Sequence, residues 1–168
     1  EIIQSKQWFI QYLDLKEDLL KWGAELIWHP DFMKVRYDNW VKGLQWDWLI
    51  SRQRFFGIPF PVWYCVKCDK PVFASKKDLP VDPLKNQCPI KKCICASTEF
   101  VPEKDVLDTW ATSSLTPQIA ASLVDKKYFK KIFYISLRPQ AHEIISFWLF
   151  NTVVRSLLHN GINLFKEV

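Results

Sequence analysis

Cysteine is the residue type whose spacing in this sequence points most directly to chemistry. All five cysteines lie close together, and Cys65 and Cys68 form a Cys-x-x-Cys pair of the kind that supplies two thiolates to one metal ion. Three more thiols compete for the two remaining places of a tetrahedral zinc site. We expect Cys88 and Cys95 to fill them, with Cys93 as the substitute for either. Four thiolates leave no open coordination position, so the predicted zinc is structural and not catalytic.

A second group of polar residues, Arg138, Gln140, His142 and Glu143, follows a run of β-branched and aromatic residues at 132–137. That run is typical of a strand buried on both faces of a parallel sheet. In open α/β sheets, ligands bind beyond the carboxyl ends of the strands and near helix N-termini. These four side chains are therefore the first candidates for a ligand site.

The elements that must position this group form a strand–helix–strand unit. The predicted elements are the strand 132–137, the helix 140–160 and the start of another strand at 164–168. Pro139 ends the first strand because proline cannot donate to a β-ladder, and Gly161 supplies the helix stop. Upstream, 8–22 and 31–44 have the apolar pattern of helices, the second with Asp31 as its N-cap. The order predicts an α/β fold of the doubly wound kind.

Two arginines form a third candidate group. Arg52 and Arg54 follow an apolar, strand-like run and precede the aromatic pair Phe55 and Phe56. Arginines beside aromatic residues suit contact with phosphates and stacking on bases. The same arginines equally suit bridges to carboxylates inside the protein, and composition does not decide between the two interpretations.

The length and composition of the chain permit one domain of ordinary size or a core with a small appendage. The chain has 168 residues, of which 49% are hydrophobic, and a net charge of +5 that permits but does not require contact with RNA. No apolar run reaches membrane-spanning length, and the start shows no signal-peptide pattern. A metal-binding thiol set favours a reducing compartment, so we expect the cytoplasm. The first residue is not Met and the last segment breaks off in a predicted strand, so we expect a fragment of a longer protein.

Four segments, taken together and in order, resemble one family. They are QWF at 7–9, DWLISRQRFFGIPFPVWYC at 47–65, DVLDTWATSSLTPQ at 105–118 and LRPQAHEIISFW at 137–148. They resemble the valyl-tRNA synthetases, class I aminoacyl-tRNA synthetases that activate valine with ATP and transfer it to tRNA(Val), in the part between the editing insertion and the KMSKS loop. The resemblance implies the second half of a Rossmann-like catalytic core with an inserted small zinc-binding subdomain.

The implied domains are a helical return from the editing insertion with the start of the second half of the core at 1–59, a zinc-ribbon-like insert at 60–101 and the Rossmann-type core at 102–168. The implied partners of the full enzyme are tRNA(Val), valine and ATP with Mg²⁺, without membrane or DNA. The chain has neither a HIGH motif nor a KMSKS motif, so we expect it to be inactive alone.

The resemblance also implies roles for individual residues. Trp110 and Trp148 would wall the valine pocket, because two rigid indole faces can close on a small branched side chain and exclude larger ones. The implied adenylate contacts are Gln140, Ala141, His142 and Glu143, with Ala141 and Glu143 where related enzymes often have glycine and aspartate. Arg52 and Arg54 are candidates for contact with tRNA. The segment CASTEF resembles the CGSTEF ending of other members, which places the last metal ligand at Cys95.

Two competing hypotheses remain. One is an isoleucyl- or leucyl-type synthetase fragment, because those enzymes share the SRQR-type segment, and substrate preference separates it. The other is a zinc-ribbon RNA-binding module without catalytic ancestry. Such a module has no reason to contain a strand–helix–strand unit with Trp110 and Trp148 converging on its crevice.

Overall fold

The computed structural model describes residues 4–168, in which short strands and helices are mixed along the chain. The strands are β1 Phe9–Ile10, β2 Trp48–Leu49, β3 Ser51–Arg52, β4 Val62–Cys65, β5 Pro71–Phe73, β6 Phe100–Pro102, β7 Val106–Leu107, β8 Ile135–Leu137 and β9 Phe165–Glu167. The α-helices are α1 Lys16–Glu25, α2 Lys34–Gly43, α3 Thr109–Ser113, α4 Thr116–Ser122, α5 Lys126–Ile132 and α6 Phe150–Asn160. No helix within residues 4–168 has both the length and the apolar character needed to cross a membrane.

The chain divides into two compact units. One combines the residues up to Ile50 with Thr109–Val168, and the other is Ser51–Asp108. The predicted insert at 60–101 lies within the second unit, and β3 and β7 pair antiparallel at the two ends of this unit. Inside it, β5, β4 and β6 form a three-stranded antiparallel sheet in that order.

The first unit contains the predicted strand–helix–strand arrangement. β8 and β9 pair in parallel, with Ile135 opposite Phe165, as expected of strands joined by a helical crossover. The connection begins with a 3₁₀ turn at His142–Ile144, continues through a π-helical turn at Ile145–Leu149 and ends as α6. Gly161 has a φ of 65° and caps α6, so the predicted helix stop is confirmed.

The predicted strand at 132–137 is too long and too buried. Only Ile135–Leu137 is a strand, because α5 extends to Ile132 after Asp125 accepts a hydrogen bond from the Lys127 backbone N–H at its start. Leu137 is 54% exposed. The β-branched and aromatic run therefore contains the end of a helix and one short strand.

A third parallel segment flanks β9 and was not predicted. The Ile27 N–H donates to Lys166 O at 2.9 Å, and the Val168 N–H donates to Ile27 O at 2.9 Å. The His29 N–H continues the ladder to Val168 O at 2.8 Å. The carboxyl ends of β8, of β9 and of this segment therefore lie at one edge of the sheet.

The two upstream helices are shorter than predicted. In the 8–22 region, Asp47 Oδ1 accepts hydrogen bonds from the backbone N–H groups of Tyr12 and Leu13, so the chain forms β1 and a 3₁₀ turn before α1 begins at Lys16. In the 31–44 region, a 3₁₀ turn at Asp31–Met33 precedes α2. Pro30 occupies the cap position of that turn, so the prediction of Asp31 as N-cap is wrong.

The core of the first unit is built around Tyr37 and α6. Tyr37 is fully buried, its hydroxyl donates to Leu19 O at 2.9 Å, and its ring lies 5.7 Å from that of Trp28 and 6.2 Å from that of Phe150. Burial raises the pKa of Tyr37, with Asp38 as a second cause, so the phenol stays protonated. This cluster holds α1, α2 and α6 together.

Gly23 gives a direct test of this packing. A Cβ at Gly23 would lie 2.6 Å from Tyr37 Cδ1, whereas a Cβ at Gly43, the last residue of α2, meets nothing within 4 Å. Overpacking of about 1–3 kcal/mol outweighs the gain of up to about 1 kcal/mol in helix propensity. We therefore expect Gly23→Ala to lower the midpoint of urea unfolding and the matched Gly43→Ala to leave it unchanged or raise it. Equal midpoints for the two variants would contradict the packing.

Candidate substrate cavity and metal centre

Four cysteine sulfurs of the second unit converge on one point. The Sγ atoms of Cys65, Cys68, Cys93 and Cys95 all lie within 4.8 Å of one another. Cys65 Sγ is 3.5 Å from Cys95 Sγ, and Cys68 Sγ is 3.6 Å from Cys93 Sγ. Thiolates about 2.3 Å from a tetrahedral ion are about 3.8 Å apart, so this arrangement fits a single metal ion.

Two tight turns bring these sulfurs together. In the first turn the Asp69 N–H donates to Cys65 O at 2.8 Å, and Asp69 has a φ of 57°. In the second the Ala96 N–H donates to Cys93 O at 2.9 Å, and Ala96 has a φ of 68°. In each turn the residue in the left-handed conformation, Asp69 or Ala96, directly follows the second cysteine and reverses the chain there.

Cys88 does not belong to this cluster, which corrects the expectation that it fills the third place. Cys93, the substitute in the sequence analysis, occupies it, because the turn after Cys93 directs Cys93 and Cys95 to the same point although one residue separates them. Cys88 instead lines a separate groove with Trp63 and Phe100. Burial raises the pKa of the Cys88 thiol, which disfavours the thiolate form that binds metals.

The surroundings of Cys65 favour a thiolate. Burial raises the pKa of the Cys65 thiol, but hydrogen bonds from the backbone of Cys68 and from the side chain of Cys95 outweigh it and bring the pKa to about 6. Metals bind the thiolate, so Cys65 is the member of the cluster best suited to bind a cation first. Against the lowering effect of the Lys70 backbone, burial and the neighbouring thiols raise the pKa of Cys68.

The second candidate site is a cavity of about 280 Å³ at the carboxyl edge of the sheet in the first unit. Gln140, Ala141 and His142, which sequence analysis selected, form part of its wall. The rest comes from Trp28, His29, Pro30, Met33, Ile145 and Val168. The sequence did not predict that 28–33 contributes to this wall. The segment that runs parallel to β9 and leads into 28–33 contains no recognisable strand pattern.

The rim of this cavity is polar. Glu143 is exposed and is not among the lining residues, although its carboxylate lies 3.7 Å from His142 Nδ1. His29 Nε2 lies 2.9 Å from Glu167 Oε2, and this hydrogen bond is the main reason that the pKa of Glu167 is lowered. Lys166 Nζ lies 3.5 Å from the other carboxylate oxygen of Glu167, so two cationic or polar side chains engage this acid at the end of β9.

Gln140 is the lining residue with the clearest unfilled bonding capacity. Its Oε1 and Nε2 atoms are both buried, and neither has a hydrogen-bond partner among residues 4–168. Buried amides in folded proteins are nearly always hydrogen-bonded, so such a side chain on a cavity wall is suited to a polar ligand.

The two predicted pocket tryptophans are linked through α3. Trp148 is 6% exposed, and its Nε1 donates to Ser113 O at 3.1 Å. Trp110, the second residue of α3, is half-buried and stacks on Phe147, with ring centroids 5.6 Å apart and an interplanar angle of 21°. The helix that carries Trp110 therefore also holds the indole edge of Trp148.

The two predicted tRNA-contact arginines have different surroundings in the second unit. Arg52 Nη2 lies 3.1 Å from Asp108 Oδ1, whose side chain is 7% exposed, so Arg52 forms the internal bridge given above as one interpretation. Arg54 lines a groove of about 510 Å³ beside Phe55 and Phe56. These two aromatic side chains are 92% and 84% exposed.

Comparison with solved structures relates the fold to a synthetase. A ternary complex of LeuRS, tRNA and LeuAMS from Agrobacterium radiobacter matches with a TM-score of 0.50 and 20% sequence identity. The match covers 72% of this chain and 18% of the LeuRS chain. At this identity the likeness concerns the fold alone.

Sequence comparison is more specific. Similar curated proteins are the valine–tRNA ligases of Thermoplasma acidophilum, Thermoplasma volcanium and Methanopyrus kandleri, at 56%, 57% and 41% identity. The alignments cover 95%, 96% and 100% of this chain but only 20%, 20% and 18% of the relatives, so the chain spans about a fifth of their length. The family model described as tRNA synthetases class I (I, L, M and V) matches residues 1–168. The chain therefore belongs to the class I tRNA synthetases, and along nearly all of its length it is similar to valine–tRNA ligases.

Proposed function

We propose that the chain forms part of the catalytic domain of a valine–tRNA ligase, an enzyme of protein biosynthesis that joins valine to tRNA(Val) through valyl-adenylate. The observation that carries this proposal is the cavity at the carboxyl edge of the parallel sheet, lined by Gln140, Ala141 and His142. Similarity to valine–tRNA ligases supports valine as the amino acid.

In this function the cavity holds part of the adenylate. The buried, unpartnered amide of Gln140 offers one donor and one acceptor to it. Ala141 precedes the 3₁₀ turn at His142–Ile144, where backbone N–H groups at the start of a helical segment face a polar ligand. Glu143 reaches the ribose hydroxyls from the rim, and His142 stands beside it. These residues position the adenylate and do not take part in bond making.

Trp110 and Trp148 form the walls of the valine pocket. Indole faces reject a side chain with an additional methylene but discriminate poorly against threonine, which replaces a methyl group of valine by a hydroxyl. Removal of threonine therefore requires a separate editing step.

The four-cysteine cluster holds structural zinc. Cys65, Cys68, Cys93 and Cys95 provide a closed set of soft ligands, and the spacing of their sulfurs fits tetrahedral coordination. When bound, the ion cross-links the two turns of a small zinc-binding subdomain. Such a thiol site suits a reducing compartment, which supports a cytoplasmic location.

The remaining partners are tRNA(Val) and ATP with Mg²⁺. Arg54 is the better candidate for tRNA contact because its neighbours Phe55 and Phe56 are exposed, whereas Arg52 is engaged by Asp108. An arginine beside exposed aromatic rings suits a phosphate and an unstacked base.

The test is amino-acid-dependent ATP–pyrophosphate exchange by the intact protein to which this chain belongs, with valine, isoleucine and leucine compared. We expect exchange with valine to exceed exchange with isoleucine by at least about tenfold in kcat/KM, since one methylene in such a pocket is worth about 1–3 kcal/mol. Preference for isoleucine or leucine would be consistent with a class I tRNA synthetase but would contradict valine as its substrate. No exchange with any of the three amino acids, from a folded protein, would overturn the proposal.

A further inference from the structure

Arg138 lies against the face of Trp148. Its guanidinium carbon Cζ is 4.1 Å from the centre of the indole ring. The Arg138 backbone is fixed at the end of β8, because its N–H donates to Glu167 O at 2.9 Å. Its Nε is buried and has no hydrogen-bond partner in the part of the chain that the structure describes. The guanidinium therefore interacts with the face of the indole.

Trp148 has three supports that together fix the plane of its ring. Ser113 O accepts a hydrogen bond from Nε1 at 3.1 Å and holds one edge. The Phe165 ring lies 6.0 Å away at an interplanar angle of 32°. Arg138 covers a face. Arg138 adds a planar contact against the ring, which opposes tilting of the indole about its hydrogen-bonded edge.

We propose that Arg138 is a positioning residue that sets the plane of Trp148 and thereby the width of the amino-acid pocket, which makes it a determinant of the preference for valine. The inference rests on the proposed function, because it takes Trp148 as a wall of the valine pocket. Arg138 itself touches the indole and acts on the substrate only through it.

The chemistry of the pair explains why an arginine occupies this place. A guanidinium is planar and weakly hydrated, so it stacks on an indole with a small loss of solvation. Burial lowers the pKa of Arg138, as expected of a cation partly withdrawn from water, but an arginine stays charged at neutral pH. A lysine would provide the charge without the flat stacking surface, and a methionine would provide length without charge.

The matched control is Arg155 in α6. Its Nε is also buried without a hydrogen-bond partner among residues 4–168, and burial likewise lowers its pKa. Among the described residues, Arg138 and not Arg155 lies over a tryptophan ring. The change of either arginine to Met therefore removes a partly buried cation, but only one of the two changes frees Trp148.

The experiment measures valine- and isoleucine-dependent ATP–pyrophosphate exchange by the intact protein and its Arg138→Met, Arg138→Lys and Arg155→Met variants. We expect Arg138→Met to raise the KM for valine about fivefold at nearly unchanged kcat, since a cation–π contact of about 1 kcal/mol corresponds to that factor. The KM for isoleucine should rise less, so the preference for valine narrows. Arg138→Lys should recover part of the loss, and Arg155→Met should leave both KM values unchanged.

The two proposals fail in different ways. Absence of valine-dependent exchange in the wild-type protein would overturn the proposed function. Normal exchange in the wild type with an unchanged KM for valine in Arg138→Met would overturn the role of Arg138 alone. The same rise in KM from Arg155→Met would also overturn it, because it would show a general effect of losing a partly buried arginine.

Discussion

Replacing Cys93 by serine is expected to remove most of the bound zinc from the intact protein, whereas replacing Cys88 by serine leaves the zinc content at one ion per chain. Structural zinc held by four ligands contributes about 10–16 kcal/mol of binding free energy. The loss of one thiolate therefore weakens binding by about 3 kcal/mol, roughly a hundredfold in affinity. Zinc content after dialysis against a chelator, measured by mass spectrometry, separates the variants.

The same change should loosen the second unit. Cys93 and Cys95 stand in a turn closed by the hydrogen bond from Cys93 N–H to Ser97 O at 2.8 Å, and the strands β4 and β6 connect to the two turns. Without the ion, few buried apolar groups hold these turns together, so backbone amides at 65–70 and 93–97 should exchange hydrogen faster in Cys93→Ser. Those of Cys88→Ser should exchange as in the wild type. Zinc loss from Cys88→Ser with retention in Cys93→Ser would restore the assignment made from the sequence.

The contrast between Cys88 and Cys93 shows where sequence reasoning stops. The Cys-x-x-Cys pair at 65–68 was recognisable because a common turn joins its members. The second half was ambiguous, because three thiols follow at irregular spacing and the turn that brings Cys93 beside Cys95 contains Ala96 in a left-handed conformation that alanine rarely takes. The local sequence does not predict this conformation of Ala96, which depends on the packing of the whole second unit.

The parallel sheet of the first unit was likewise predictable only in part. The parallel pairing of β8 and β9 followed from the helical pattern between them and from Gly161. The hydrogen bonds from Ile27 and His29 to β9 could not be predicted in this way. The segment around Ile27 lies more than 130 positions from β9 in the chain, and its residues have no alternating pattern. As a result, Gln140 and His142 were predicted as parts of the ligand site, whereas Trp28 and His29, which come from a distant part of the chain, were not predicted.

Trp148→Phe is expected to raise the KM for valine about tenfold in ATP–pyrophosphate exchange, with a smaller change for isoleucine. The substitution keeps an aromatic ring in the core but removes the Nε1 donor to Ser113 O and leaves space where the larger indole stood. The loss of a hydrogen bond of about 1 kcal/mol together with some contact area accounts for the factor. The smaller phenylalanine leaves room for the additional methylene of isoleucine. Discrimination between valine and isoleucine therefore falls together with the affinity for valine.

Trp148→Ala is expected to have the larger effect, a loss of at least about a hundredfold in kcat/KM for valine, corresponding to about 3 kcal/mol. Because this residue is 6% exposed, its truncation also destabilises the core by about 3–5 kcal/mol, which is why the phenylalanine variant accompanies it. Trp48→Phe, at a buried tryptophan of β2, is the control for a general loss of aromatic packing and should leave the KM for valine unchanged. If Trp148→Phe and Trp48→Phe lower the melting temperature alike and neither alters the KM, then Trp148 supports the core without lining the pocket.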